Sequence, residues 1–260
     1  MLKHFLIALL LTALVAVGSG CDSTLPEPTA PLPQVPRMMV VHAAPSSLPV
    51  TFSADAVTGA NLTYLGVTTS LTFRGVPTNY FEFRPGSRNL FVRRTGAPND
   101  TLIRATLPFV NESNTSLFVI DTTTSLGLVT LRSNDNLTRP ADTVANVRFF
   151  HFSPNAPAVT VKVTPLRARD SVASGAQVDL FTNRSFDRDG FTPQEEAFTT
   201  VPTGLYAVQV VRADNGAVVI NRIVVNLLPR AIYTIYARGV VGRTGVDSLS
   251  ASLITNLPTL

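Results

Sequence analysis

The chain contains no tryptophan and only one cysteine, Cys21, among its 260 residues. Since a single thiol cannot form an intramolecular disulfide, the fold must be stabilised by a hydrophobic core without covalent cross-links. Flat aromatic platforms of the kind that bind sugars are disfavoured as well, because the chain has no tryptophan and only five tyrosines.

Lysine is nearly absent, and arginine supplies almost all of the 21 cations that stand against 17 anions. This small surplus does not form the concentrated basic patch of a nucleic-acid-binding protein, so we expect no nucleic-acid partner. A cluster of arginines could bind an anionic glycan or lipid headgroups. The alternative is that these arginines lie on a solvated strand face. The densest group comprises Arg84, Arg88, Arg93 and Arg94.

Motifs of the common catalytic classes are also missing. After residue 20 there is no Gly-x-Ser-x-Gly elbow, no Ser-x-x-Lys pattern and no Gly-x-x-x-x-Gly-Lys phosphate loop. The base of a nucleophilic triad could only be His42 or His151. A glycosidase needs only two carboxylates, but no signal in the sequence selects a pair. We therefore predict that the protein is not an enzyme.

The start of the chain has the features of a bacterial export signal. Lys3 precedes an apolar stretch at residues 5–17, which is shorter than the roughly 20 residues of a membrane-spanning helix. Small residues then lead into Cys21, the position at which a bacterial lipoprotein is cleaved and lipidated. We predict a signal peptide at residues 1–20 and a lipid anchor on Cys21; the alternative is an ordinary secretory signal followed by an incidental thiol.

Residues 21–36 are rich in proline. Proline fixes φ and lacks a backbone donor, so this segment favours an extended tether that holds the following domain away from the lipid. We expect an exported protein anchored to the outer membrane, on its periplasmic or cell-surface side. The prolines are Pro26, Pro28, Pro31, Pro33 and Pro36.

A short phrase occurs twice in the chain. Residues 38–45 and residues 147–154 are both apolar runs that lead to a histidine and, three residues later, a proline. The similarity extends through both copies, with an insertion in the second, so the repeat of roughly 100 residues indicates two domains and not a solenoid. We predict domains at residues 37–138 and 144–260, and the short linker between them favours an end-to-end arrangement.

Both copies have the composition of β-strands. Their apolar runs are β-branched or aromatic, are bounded by Gly, Pro, Asn or Asp, and show no sustained helical spacing. Asp214-Asn215-Gly216 predicts a tight hairpin turn. About seven or eight strands per copy is typical of an immunoglobulin-like domain. The predicted fold is all-β, with two tandem immunoglobulin-like β-sandwich domains after the signal peptide and tether.

The second copy of the repeated phrase contains Val147, Arg148, His151, Ser153, Pro154, Ala156, Pro157 and Val159. This pattern resembles the opening of the domain-of-unknown-function family 4397, found in bacterial secreted and surface lipoproteins. The first copy keeps His42 and Pro45 but has Met39 for the arginine and Ala44 for the serine. The resemblance implies an all-β domain and an envelope location, and it brings no established catalytic or binding residues.

The paired histidines, His42 and His151, each end an apolar stripe of a predicted strand. One interpretation makes them bases or metal ligands. The other has each ring bonding to backbone groups of the turn that follows. Because no other ligand is close in sequence, we expect the structural role. We assign that role to His42, Pro45, Arg148, His151, Ser153, Pro154 and Pro157.

An acidic loop of the second copy has partial EF-hand spacing. Asp187, Asp189 and Glu196 fall at loop positions 3, 5 and 12, which makes them candidate calcium ligands. However, Ser185 replaces the first aspartate, and no flanking helices are indicated. The alternative is a solvated acidic turn, since Asp and Gly are common turn formers. We predict no other cofactor.

Together these patterns predict a non-catalytic envelope lipoprotein that serves as a structural or protein-interaction module. The alternative is a surface glycan-binding or adhesion lipoprotein. The expected partners are the membrane, through the lipid anchor, and envelope proteins or glycans.

Overall fold

The computed structural model describes most of the chain after the tether. The signal peptide, the lipidation site at Cys21 and the tether, all predicted above, lie outside the described residues apart from the last two residues of the tether. Every described residue belongs to one compact unit, and none of the described helices is long and apolar enough to cross a membrane. The described residues are 35–45, 49–54, 57–62, 72–73, 76–77, 80–82, 84–97, 99–121, 127–169 and 171–259.

Strands dominate the first half of the described chain. They are β1 (Arg37–His42), β2 (Val50–Ala54), β3 (Val57–Leu62), β4 (Thr72–Phe73), β5 (Val76–Pro77), β6 (Phe81–Glu82), β7 (Gly86–Arg94), β8 (Thr101–Phe109), β9 (Asn114–Ile120) and β10 (Val129–Asn134).

The second half adds more strands, one short helix and one 3-10 turn (Gly245–Asp247). These elements are β11 (Val144–His151), β12 (Val159–Leu166), β13 (Val178–Arg184), α1 (Pro193–Glu196), β14 (Thr199–Pro202), β15 (Gly204–Arg212), β16 (Val218–Leu227), β17 (Ile232–Arg238) and β18 (Ser250–Leu257).

Each half forms two four-stranded sheets. In the first half, outer sheet 1 has the order β3-β2-β7-β8 and inner sheet 1 has the order β10-β9-β1-β6. In the second half, outer sheet 2 has the order β13-β12-β15-β16 and inner sheet 2 has the order β18-β17-β11-β14. The two halves therefore repeat one strand order, and the short pair β4-β5 stands apart from these sheets.

The repeated phrase lies on a parallel strand pair at the centre of each inner sheet. In inner sheet 1, β1 runs parallel to β9, and His42 lies opposite Val119. In inner sheet 2, β11 runs parallel to β17, and His151 lies opposite Ala237. Strands covered on both faces carry nearly continuous apolar runs, as at residues 38–41 of β1 and 117–120 of β9.

Three separate apolar cores fill the spaces between the four sheets. One core lies between outer sheet 1 and inner sheet 1, and another lies between inner sheet 2 and outer sheet 2. The third core joins the two inner sheets face to face. The expectation of an end-to-end arrangement is therefore wrong, because the apolar side chains on the second face of each inner sheet are buried against the other half.

Aromatic rings form the centre of this third core. Phe118 on β9 meets Phe150 on β11 edge to face, with ring centroids 5.4 Å apart. Phe150 also stacks on Phe191 at 4.1 Å, and Phe152 lies 4.9 Å from Phe118. Buried aromatic side chains contribute large apolar areas and favourable ring contacts, so the two halves are held by a genuine core.

The predicted all-β fold is confirmed for the described residues, where helix α1 and the single 3-10 turn are the only helical elements. The hairpin predicted at residues 214–216 joins β15 to β16, and Gly216 has a φ of 73°. A left-handed conformation of this kind is the reason that glycine is favoured there.

We predict that Phe150→Ala lowers the free energy of unfolding by about 3–5 kcal/mol, because it removes a ring from a fully buried core. The measurement is urea denaturation followed by circular dichroism. Val246→Ala is the control, since Val246 is 62% exposed and its loss should stay within about 0.5 kcal/mol. Equal effects of the two substitutions would contradict the shared core.

Candidate functional site

Arg148 occupies the face of β11 that points toward the first half. Val147 and Phe149 pack into the core of the second half, so the strand alternation turns Arg148 and Phe150 to the opposite side. The Arg148 side chain is completely buried. Its guanidinium carbon lies 4.7 Å from the centroid of Phe150 and 4.5 Å from that of Phe198. An arginine is buried in this way only when its charge is paired.

The pairing partner is Asp135, which directly follows β10 of the first half. Arg148 Nη2 donates to Asp135 Oδ1 at 2.5 Å, and both side chains are fully buried. Nη1 donates to Ser133 Oγ at 2.7 Å, and Nε donates to Thr234 Oγ1 at 2.9 Å. These bonds satisfy every nitrogen of the guanidinium, which a buried ion pair requires if it is not to be strongly destabilising.

The second carboxylate oxygen of Asp135 accepts two further hydrogen bonds. Tyr80 Oη donates at 2.5 Å and Ser116 Oγ donates at 2.6 Å. Burial raises the pKa of Tyr80 well above its ordinary value, and the nearby Asp135 charge acts in the same direction. The phenol therefore stays protonated and remains a donor to the carboxylate.

Two more bonds close these side chains into a ring. Thr234 Oγ1 donates to Asn256 Oδ1 at 2.7 Å, and Asn256 Nδ2 donates to Tyr80 Oη at 2.9 Å. The hydrogen bonds thus run from Arg148 through Thr234, Asn256 and Tyr80 to Asp135, which also accepts from Arg148. We call these five side chains the interlock. Tyr80 and Asp135 come from the first half and the other three from the second.

Arg148 was singled out by the repeated motif, but the other members of the interlock were not predicted. Asp135 and Asn256 lie outside the repeated phrase, and Tyr80 precedes the short strand β6. One signal was available in the sequence, because the first copy has Met39 where the second has Arg148. A single buried carboxylate can compensate one buried cation, so the two copies must differ at this position.

The His151 ring bonds within its own turn. Nδ1 accepts from the Ser153 backbone N–H at 3.2 Å, so Nε2 carries the proton and donates to the Pro157 carbonyl at 3.1 Å. Burial lowers the pKa of His151, which keeps the ring neutral. His42 is fully buried too, and its Nδ1 lies 3.4 Å from the backbone nitrogen of Ala44.

The other residues of the motif shape the same turns. Ser153 is buried, and its hydroxyl has no hydrogen-bond partner among the described residues. Pro45 is buried, whereas Pro154 and Pro157 are partly exposed. Asn155, between them, exchanges hydrogen bonds of 3.2 and 2.8 Å with the backbone of Val241. The turn after β11 is thereby tied to the loop after β17.

The predicted calcium ligands do not come together. Asp187 is buried and accepts from the His151 backbone nitrogen at 2.7 Å, whereas the Asp189 side chain is 96% exposed. Glu196 Oε1 accepts from the Asn134 backbone nitrogen of the first half at 2.9 Å. Within the described ranges, no three His, Cys, Asp or Glu side chains are grouped closely enough to hold a metal ion.

The acidic loop connects the two halves instead. Arg188 Nε lies 3.0 Å from Asp121 Oδ2, at the end of β9, and the Asp121 side chain is almost fully buried. Phe186 and Phe191 of the same loop pack against the third core. We call residues 185–196 the strap loop, since its side chains contact the first half at several points.

The four arginines grouped by sequence do not form a single patch. Arg88 donates to the carbonyl oxygens of Arg84 and Pro85 at 3.2 and 3.0 Å. Arg94 pairs with Asp100 at 2.6 Å. Only Arg93 projects from the sheet face, where it bonds to Ser53 at 2.7 Å.

The site is thus a buried polar interlock inside an all-β protein of four stacked sheets. Residues 36–162 match the family described as domain of unknown function (DUF4397), a stretch that includes the first half and β11. The resemblance to that family is confirmed for these residues.

No curated protein matches the chain. A solved structure with a detectable likeness is the carbohydrate-binding module CBMbc (family CBM26) from Eubacterium rectale Amy13K, in complex with maltoheptaose. The two are 10% identical, the match covers 85% of this chain and 98% of the other, and the TM-score is 0.24.

We predict that Asp135→Asn destabilises the protein by about 3–5 kcal/mol, because it leaves the buried Arg148 charge uncompensated. The double variant Arg148→Met/Asp135→Leu should recover part of that loss, since it removes both charges but leaves Tyr80 and Ser116 without their acceptor. Thermal and urea unfolding measure the effect. The exposed pair provides the control: Arg94→Ala should cost no more than about 1 kcal/mol. A double variant no more stable than Asp135→Asn would argue against charge burial as the cause.

Stability should also depend on pH through Asp187. Burial raises its pKa to about 7 in the folded state, against about 3.9 when unfolded. A raised carboxyl pKa gives stability that is fully present below pH 3.9 and is lost as the pH rises through about 7. The stability of the wild type relative to Asp187→Asn should therefore fall by up to about 4 kcal/mol between pH 4 and 8.

The exposed Asp189→Asn variant serves as the control for this titration and should show no such trend. Because His151 titrates in both proteins, its effect largely cancels in the comparison of wild type with Asp187→Asn. A difference that stays constant from pH 4 to 8 would show that Asp187 is ionised throughout.

Proposed function

We propose that this protein is a non-catalytic lipoprotein of the bacterial outer membrane, anchored through Cys21, in which two immunoglobulin-like sandwich domains form one rigid body. That body serves as a structural and interaction module for a partner in the cell envelope. Its location on the periplasmic or cell-surface side of the membrane is part of the same proposal.

The interlock carries this proposal. Its hydrogen bonds pass from the first half to the second and back, and its only ion pair joins Arg148 to Asp135 across the two inner sheets. A buried charge that loses its partner is strongly destabilising. Separation of the halves would part Arg148 from Asp135, so each charge would have to be rehydrated or left uncompensated. A rigid relative orientation suits a spacer or a docking platform more than a hinged enzyme.

The repeated strand order supports the assignment of the halves as tandem copies of one module. Met38 lies opposite Phe81 and Thr115, and the corresponding Val147 lies opposite Thr199 and Tyr233. Duplication of one ancestral domain would give both halves the same strand register. The register would then be kept, because a shift of one residue would turn the buried side chains of a strand to the opposite face of the sheet.

The surroundings of the polar groups support a non-catalytic role. His151 uses both ring nitrogens within its turn, and Asp135 is sealed between sheets. An open cleft of ≈ 370 Å³ at the end of the second half has neither a histidine nor a carboxylate in its lining. Its lining residues are Pro157, Arg212, Val218, Val219, Val241, Gly242, Arg243, Ser248 and Leu249.

The anchor is tested by Cys21→Ser. In cells that express the full chain, the wild type should sediment with membranes and partition into detergent, whereas the variant should be exported but recovered in the soluble periplasmic fraction. Mass spectrometry of the wild-type amino terminus should find a diacylglycerol thioether on Cys21. A wild-type protein found in the soluble fraction, or a variant that stays membrane-bound, would count against the lipoprotein assignment.

A further inference from the structure

The outward face of outer sheet 1 carries an unusual aromatic and cationic cluster. Leu90 and Val92 of β7 are buried in the first-half core, so the residues between and after them, Phe91 and Arg93, project toward solvent. On the neighbouring strand β8, Arg104 lies directly opposite Phe91. Phe91 and Arg93 are half-buried, and Arg104 is exposed.

The two guanidinium groups pack on the phenylalanine ring. The Arg93 guanidinium carbon lies 4.3 Å from the Phe91 centroid, and that of Arg104 lies 5.3 Å from it. Cation–π contacts of this length orient the planar guanidinium and restrict its motion. We call Phe91, Arg93 and Arg104 the arginine platform.

The strands around the platform carry no acidic residue that would balance its charge. Strands β2, β3, β7 and β8 contain no Asp or Glu, and neither Arg93 nor Arg104 forms an ion pair with a described residue. Among the described residues, the Arg93 side chain makes one hydrogen bond, to Ser53. Oriented guanidinium groups that pair with no described carboxylate attract carboxylate or sulfate groups, which match the donor fork of arginine.

The polar residues around the platform are neutral. Thr51 and Ser53 lie on β2, while Asn89 and Thr106 face each other across β7 and β8 and are joined by a hydrogen bond of 2.9 Å. Hydroxyl and amide groups are suitable partners for the hydroxyl groups of a sugar. The platform thus combines groups for charge, for ring contact and for neutral hydrogen bonds.

We propose that the arginine platform binds an anionic polysaccharide that carries carboxylate groups on its sugars. This inference rests on the proposed function, because it names the partner of the rigid envelope body. The surface is a sheet face and not a strand edge, where an extended peptide would add itself by backbone pairing. Two arginines would attract an anionic membrane by only about 1 kcal/mol each, so lipid is the weaker assignment.

The second half lacks this platform. Gln209 and Val211 occupy the places of Phe91 and Arg93, and Arg222, in the place of Arg104, donates to the Ser171 carbonyl at 2.9 Å. Lys162 on the same outer sheet is paired with Asp179 at 2.5 Å. Outer sheet 2 therefore provides a matched surface for control substitutions.

The test measures binding of the full-length chain, in detergent, to polygalacturonate by affinity electrophoresis at low ionic strength. Arg93→Ala/Arg104→Ala should weaken binding about tenfold or more, because hydrogen bonds to charged groups are the stronger ones. The control Lys162→Ala/Arg222→Ala removes the same charge from the other outer sheet and should change the affinity less than about twofold. A neutral glucan should not retard the wild type.

Melting temperatures establish that the variants are folded. If the double variant is destabilised, Arg104→Ala alone is used, since that side chain is exposed, and it should weaken binding about threefold or more. The proposal is overturned if the wild type does not bind polygalacturonate or if both double variants lose affinity equally. Equal or tighter binding of polyglutamate or of phosphatidylglycerol vesicles also overturns it.

Because the purified chain is used, this result is independent of the anchor. If polygalacturonate does not bind but the Cys21→Ser variant leaves the membrane, the polysaccharide proposal is rejected and the lipoprotein proposal is retained. If polygalacturonate binds but the chain is never lipidated, the polysaccharide proposal is retained and the lipoprotein proposal is rejected.

Discussion

The structure depends on one buried ion pair, Arg148 with Asp135, at the centre of the contact between the two inner sheets. Removing both charges from water costs desolvation free energy. This cost is offset only because every nitrogen of the guanidinium and both oxygens of the carboxylate have hydrogen-bond partners. Such a network is satisfied in one relative position of the halves. The aromatic core beside it supplies the apolar burial, and the ion pair selects the geometry.

Much of the secondary structure could be predicted from the sequence. The β-branched runs indicated strands, and the repeat at His42 and His151 located equivalent strands in both halves. The stacking of the inner sheets was not predicted, although the uninterrupted apolar runs at residues 38–41 of β1 and 117–120 of β9 carried a signal for it. A run that is buried on both faces needs a covering layer on each side. One sandwich supplies a single layer, so the other half must supply the second.

The polar site was less accessible to sequence reasoning. Arg148 was identified through its motif, but its partners are distant in the chain and belong to no recognisable pattern. The strap loop has partial calcium-loop spacing, although it is also typical of a solvated acidic turn, because Asp, Gly and Glu recur in both kinds of turn. Its spacing could not reveal that Asp187 bonds to the His151 backbone while Arg188 and Glu196 reach the first half. The divergence of Met39 from Arg148 now has a physical reason, since one interface accommodates one charge.

Differential scanning calorimetry of the full chain is the most direct test of a single body held by the interlock. The account predicts that the region after the tether unfolds in one endotherm. The calorimetric and van't Hoff enthalpies should then have a ratio close to one, as expected for a cooperative unit. Two resolved endotherms, each with the enthalpy of one half, would contradict it, because they would show that the halves unfold independently.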